Sequence, residues 1–144
     1  MIMTEKVLIV DDEQDFLDAL SERMRARDME VTTSTSATDA LKKAEKGSYD
    51  AIVLDLMMPE MDGLEALQEI KKNNPDLQVI LLTGHATVEK GIEAMKLGAT
   101  DFLEKPADLK TLTEKIKNAH AKKMILVEKQ TEEKVKSILA VKGW

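Results

Sequence analysis

The sequence predicts a doubly wound α/β domain, a five-stranded parallel sheet with helices on both faces, the last helix extended. Three observations predict it. Short apolar runs such as Lys6–Val10 and Ala51–Leu54 are bounded by charge or turn residues and suit strands buried on both faces. Between them lie segments whose apolar residues recur at helical spacing, and the alternation repeats five times. Such alternation implies parallel strands joined by right-handed crossovers. The residues with chemical potential fall just after the runs: Asp11 and Asp12, Asp55, Thr83 and Lys105.

The elements follow in order. Lys6–Val10 is the first strand, and Phe16, Leu17, Leu20 and Met24 mark a helix running to about Arg27. Glu30–Thr33, rich in β-branched residues, is a weaker second strand. Ser36 and Asp39 resemble a capping box with Asp in place of Glu or Gln, opening a helix that turns Ala37, Ala40, Leu41 and Ala44 inward and stops near Gly47. Tyr49–Leu54 is the third strand. Asp62 and Glu65 start a helix with Leu64, Leu67 and Ile70 as its buried face, ended by Asn73, Asn74, Pro75 and Asp76. Leu77–Leu82 is the fourth strand. A helix carrying Val88, Ile92, Met95 and Leu97 follows and closes at Gly98. Gly91 inside it costs about 1 kcal/mol relative to Ala, so this helix is expected to be the least stable of the five. Thr100–Leu103 is a short fifth strand, and Lys105-Pro106 precedes the last helix.

Composition removes several function classes. The 144 residues suffice for one domain with a substantial core. With 43% hydrophobic and 33% charged residues the chain reads as soluble and globular. It has no cysteine, which excludes disulfides, thiolate metal sites and thiol nucleophiles, and its 2 histidines are too far apart for a zinc site. No apolar run nears the roughly 20 residues that span a bilayer, and the N-terminus lacks signal-peptide features. A cytoplasmic location with no membrane partner is the expectation. The net charge of −6 argues against direct nucleic-acid binding.

In an open sheet, sites form beyond the carboxyl ends of the strands. If the strand order is the flavodoxin-like 2-1-3-4-5, the first and third strands are neighbours and Asp11, Asp12 and Asp55 converge. Carboxylates about 5 Å apart repel by roughly 3 kcal/mol per pair at an effective dielectric near 20. Such a cluster needs a cation, and hard oxygen ligands point to magnesium. Lys105 adds a positive charge and Thr83 a hydroxyl. Aimed at one carboxylate, these groups are what a phosphoryl group on Asp55 requires.

The stretches VLIVDDE, VLDLMMPEMDG, LLTGHA and DFLEKP resemble, in order and spacing, the receiver domain of response regulators in two-component signalling, over about Lys6–Ala121. The resemblance implies that Asp55 is the phosphoacceptor, that Asp12 binds magnesium directly and Asp11 largely through water, and that the backbone carbonyl of Met57 is a further ligand. It also implies that Lys105 contacts the phosphoryl group, that Thr83 is the switch hydroxyl and Phe102 the switch aromatic, and that Lys105-Pro106 is cis. Met57 and His85 stand where residues of this family influence phosphoryl lifetime. GHATVEKGIEAMKLGATDFLEKP is further similar to receivers of nitrogen-regulator type, which usually precede an ATPase and a DNA-binding domain; neither follows within this chain. The implied partners are a sensor histidine kinase or a phosphotransfer protein.

Blander readings compete at several positions. Asp11, Asp12 and Glu13 alone would suit a helix start, and Phe102 would suit a core. Met57, Met58 and Met61 read as loop packing or a partner surface, His85 as the rim of the site and His120 as a helix-surface residue. Three rival functions are weaker. A phosphohydrolase of haloacid-dehalogenase type carries a second Asp where this chain has Met57. A phosphorylation-independent module commonly lacks members of the acidic cluster. A flavodoxin-like cofactor protein needs a phosphate loop after the first strand, and none follows.

Residues 1–121 thus read as the receiver and 122–144 as an extension of the last helix. From Asp108 to about Ala140 there is no breaker. Leu109, Leu112, Ile116 and Ala119 dock on the sheet. Met124, Val127, Val135, Ile138 and Val141 continue a thinner stripe that calls for a homodimer or a partner groove. Lys123 and Gln130 break any long heptad. Trp144 is read as a mobile end.

Overall fold

A computed structural model describes residues 4–84, 88–106 and 108–141, with backbone alone for 127, 140 and 141. The chain forms β1 (Lys6–Val10), α1 (Gln14–Arg25), β2 (Glu30–Ser34), α2 (Ala37–Lys46) and β3 (Ala51–Leu54). It continues with α3 (Gly63–Asn73), β4 (Val79–Thr83), α4 (Val88–Lys96), β5 (Asp101–Glu104) and α5 (Leu109–Val141). All strands pair in parallel in the order β2-β1-β3-β4-β5, as the sequence predicts.

Successive strand side chains point to opposite faces of a sheet, and both faces here are apolar. Leu8, Val10, Ile52, Leu54, Val79 and Leu81 join the core beneath α2, α3 and α4. Val7, Ile9, Ala51, Val53, Ile80 and Leu82 join the core beneath α1 and α5. This two-sided burial is why the central strands read as unbroken apolar runs.

The helices bury the residues their spacing assigns. Leu17 and Met24 of α1, Ala37, Ala40 and Ala44 of α2, Leu67 and Ile70 of α3, and Leu112, Ile116 and Ala119 of α5 are all buried. Ser36 caps α2 by accepting the Asp39 N–H, but the reciprocal half of the box is not made. The Asp39 carboxylate instead takes the Ser34 hydroxyl at 2.8 Å. Asp62 caps α3 through the Leu64 N–H at 3.1 Å.

Two strand starts depart from expectation by two residues. β3 begins at Ala51 rather than Tyr49, because the Asp50 carboxylate accepts the Lys6 N–H at 2.8 Å in place of a ladder partner. β4 begins at Val79 rather than Leu77, since the Thr100 hydroxyl takes the Val79 N–H at 3.2 Å. The apolar stripe of α4 faces outward: Val88, Ile92 and Met95 are 80%, 53% and 50% exposed. The helix lies on the edge strand β5 by its small side, burying Ala94 and setting Gly91 over the Phe102 ring.

α5 is one helix of 33 residues, about 50 Å long at 1.5 Å per residue. Past Ala119 it stays tied to the lower edge of the sheet. Lys123 Nζ donates to the Tyr49 carbonyl at 2.9 Å, and the Gln130 amide donates to Asp76. His120, expected on the surface, is instead partly buried with Nδ1 2.8 Å from Asp50 Oδ1. Met124, Ile125, Val135 and Ile138 are exposed. Val127, Val141, His85 and Trp144, singled out in the sequence, have side chains outside the described residues.

Candidate functional site

The site is built by strand ends. β1 and β3 pair in register through Val10 and Leu54, and the ladder runs one residue further, with the Asp55 N–H donating to the Val10 carbonyl at 3.0 Å. On the other side of β1, the Asp11 N–H donates to the Ser34 carbonyl at 3.1 Å. The two acids therefore leave the sheet at the same level. Asp12 follows on the loop into α1, and carboxylate oxygens of Asp11, Asp12 and Asp55 lie within 4.8 Å of one another.

Each buried acid is oriented by the backbone two residues on, an Asx-type turn. The Glu13 N–H donates to Asp11 Oδ1 at 2.9 Å, and the Met57 N–H donates to Asp55 Oδ1 at 3.1 Å. That leaves Oδ2 of both acids for Lys105. The ammonium is hydrogen-bonded to Asp11 and stands 3.4 Å from Asp55. β5 brings it there, because the Lys105 N–H donates to the Thr83 carbonyl at 2.8 Å. Thr83 itself is fully buried at the end of β4.

Burial sets the electrostatics. Asp11 is 1% exposed and Asp55 6%, whereas Asp12 is exposed. Desolvation pushes the Asp11 carboxyl above its usual range, against the pull of Lys105 and the Glu13 N–H. For Lys105, burial disfavours the charge, but Asp11 and Asp55 outweigh it and hold the ammonium above its ordinary value. The charged form of Asp11 is thus held against its burial by Lys105 and the Glu13 N–H. Three hard oxygen donors at this spacing, with no nitrogen or sulfur among them, fit magnesium.

Two loop devices steady the acid of β3. Gly63 opens α3 against the backbone after Asp55: a Cβ there would meet Leu56 Cα at 2.4 Å and the Asp55 carbonyl at 2.7 Å. The Glu60 carboxylate accepts from the hydroxyls of Ser36 at 3.0 Å and Thr38 at 3.2 Å, fastening the loop to the start of α2.

The structure therefore brings Asp11, Asp12, Asp55, Thr83 and Lys105 to one end of the sheet, and the Met57 backbone with them. The Met57 side chain is 47% exposed. Phe102 stands apart, pairing with Leu81 and packing under α4 against the core, and the Lys105-Pro106 bond is cis. One neighbour went unread in the sequence. The Phe16 ring lies 4.1 Å below the Lys105 ammonium. At helical spacing among Leu17, Leu20 and Met24 it reads only as core, and no local pattern marks its contact with Lys105.

Comparison with known proteins agrees with this geometry. Residues 7–117 match the family described as response regulator receiver domain. The transcriptional regulatory protein ZraR of Salmonella typhimurium is 36% identical over 115 residues, 80% of this chain and 26% of that protein. This chain thus spans about a quarter of the length of such relatives. A response regulator receiver domain from Clostridium thermocellum superposes with a TM-score of 0.81 at 36% identity, covering 85% of this chain and 98% of that one. NtrX from Brucella abortus, in complex with ADP, superposes with a TM-score of 0.82 at 31% identity, covering 89% of this chain and 30% of that one. Such receivers are phosphoacceptor switches that bind magnesium at an acidic pocket and interact with histidine kinases or phosphotransfer proteins. An acidic pocket at the ends of β1 and β3, a matching pattern over most of the chain and relatives of nitrogen-regulator type together place this chain in the response regulator receiver domain family.

Proposed function

We propose that Asp55 accepts a phosphoryl group from a sensor histidine kinase or a phosphotransfer protein, and that the modified chain signals to a partner or by dimerisation. The observation that carries this reading is the cluster itself: a buried carboxylate at a strand end, with two more acids and an ammonium converging on it. In the transfer, an Asp55 carboxylate oxygen attacks phosphorus in line. The P–O bond forms as the P–N bond of a phosphohistidine breaks, and the imidazole leaves with the electron pair and takes up a proton.

Asp11, Asp12, Asp55 and the Met57 carbonyl would hold magnesium. When bound, the metal offsets the charge shared by the carboxylates and the phosphoryl oxygens. Lys105, which bridges Asp11 and Asp55, would turn its ammonium to the phosphoryl oxygens on Asp55. Thr83, one strand along, donates its hydroxyl to the same oxygens. Phe102, already packed against α4, would then move further inward, changing the groove between Phe102, Gly91 and Ile92. The phosphoryl group biases an equilibrium between two states of this surface. Slow self-hydrolysis is the only turnover expected, since Met57 cannot shuttle protons.

Residues 1–121 act as the receiver in this reading, and 122–144 as an arm. The exposed residues Met124, Ile125, Val135 and Ile138 of the arm favour a second copy of the chain or a partner groove. Phosphorylation of the full chain with radiolabelled acetyl phosphate and magnesium tests the reading. The wild type should incorporate label and Asp55→Ala none; label retained by Asp55→Ala overturns the assignment.

A further inference from the structure

The geometry points to Phe16 as the residue that positions Lys105 for phosphoryl transfer, its ring face holding the ammonium over the site by a cation–π contact. The inference rests on the reading of Asp55 as phosphoacceptor and adds to it a residue from the helix side of the site.

Lys105 Nζ has three donors, and among the described residues it meets Asp11 Oδ2, Asp55 Oδ2 at 3.4 Å and the Phe16 ring with its centroid at 4.1 Å. That distance is well inside the roughly 6 Å over which a ring quadrupole attracts a cation. The side chain of Lys105 is only 18% exposed, so little water competes. The ring is fixed by its place in the first turn of α1 and by packing against the core that α1 and α5 share. A lysine is a point charge on a flexible four-carbon stem. The ring gives it a fixed face opposite the carboxylates, which neither flexible stem nor point charge supplies.

An aliphatic side chain would fill the same space between α1 and α5 without attracting the charge. Packing and cation–π roles therefore separate cleanly. The experiment uses the full chain with Phe16→Leu, Phe16→Tyr, and site-specifically incorporated mono-, di- and trifluorophenylalanine at position 16. Each is assayed for the acetyl phosphate labelling rate, for beryllofluoride affinity at saturating magnesium, and for magnesium affinity alone.

Phe16→Leu should slow labelling and weaken beryllofluoride binding roughly fivefold, on the scale of a partly desolvated cation–π contact, while magnesium affinity does not fall. Phe16→Tyr should restore both. Successive fluorines should lower labelling and beryllofluoride affinity in graded steps, and Phe16→Leu should add nothing in a Lys105→Met background. The fluorinated rings keep the shape of phenylalanine and so serve even if Phe16→Leu folds poorly. A fluorine series without trend, in a wild type that labels normally, overturns the role of Phe16 alone. A wild type that takes no label overturns the phosphoacceptor reading and this inference together.

Discussion

At the scale of single residues, Gly63 shows how closely the site depends on backbone approach. Its buried Cα sits where any side chain would strike the main chain of Leu56 and the carbonyl of Asp55. Both are backbone atoms that cannot swing aside, so the loop or the helix start must shift. Gly63→Ala is expected to cost about 1–3 kcal/mol of stability, the range for overpacking, read as a lowered urea midpoint. The same shift disturbs the Met57 N–H that orients Asp55, so labelling should slow in the fraction that remains folded. The five candidate site residues were legible in the sequence, because acids, a hydroxyl and an ammonium recur at or just after the ends of successive strands. Phe16 was not legible: its contact with Lys105 is long-range, and nothing in local spacing separates a ring under a cation from a ring in a core.

Among the elements, burial decided what could be read. β1, β3 and β4 are hidden on both faces and appear as apolar runs; the starts of β3 and β4 moved by two residues where Asp50 and Thr100 supply hydrogen bonds that no pattern encodes. α4 was legible as a helix but not in its orientation. Its larger apolar residues suggest an inward face, yet β5 is an edge strand and takes only the Gly91–Ala94 side. With Ala94 its single buried residue among those described, α4 buries little of its surface against the sheet.

The start of α2 offers an electrostatic test. Asp39 is held below its ordinary range by hydrogen bonds from Lys43 first and from Ser34 second. A carboxylate with a depressed folded pKa contributes stability that is present above its unfolded value of 3.8 and lost as pH falls through the lower folded value. Asp39→Asn should therefore cost about 0.5 kcal/mol near neutral pH, the scale of an exposed i,i+4 pair. The difference from wild type should begin to shrink as pH falls below about 3.8 and close below the lower folded value. Urea midpoints of both proteins from pH 7 down to pH 3 check the sign.

For the molecule as a whole, the arm formed by the end of α5 is the feature with no counterpart in the sheet domain. If it mediates self-association, beryllofluoride with magnesium should raise the mass of the full chain measured by sedimentation. A chain ending at Ala121 should stay monomeric under the same conditions. An unchanged mass in the full chain would assign the arm to a different partner.

The continuity of α5 has a mechanical corollary. A helix without a break is a shaft, and rotation at its docked end reappears at the far end with the same phase. Each inserted residue turns everything beyond it by about 100°. One residue added after Ala121 would swing Val135 and Ile138 out of alignment with the sheet below. Seven would restore them to within about 20°, at a greater distance. If the arm conveys a signal from the phosphoacceptor end, that signal is a matter of angle rather than reach.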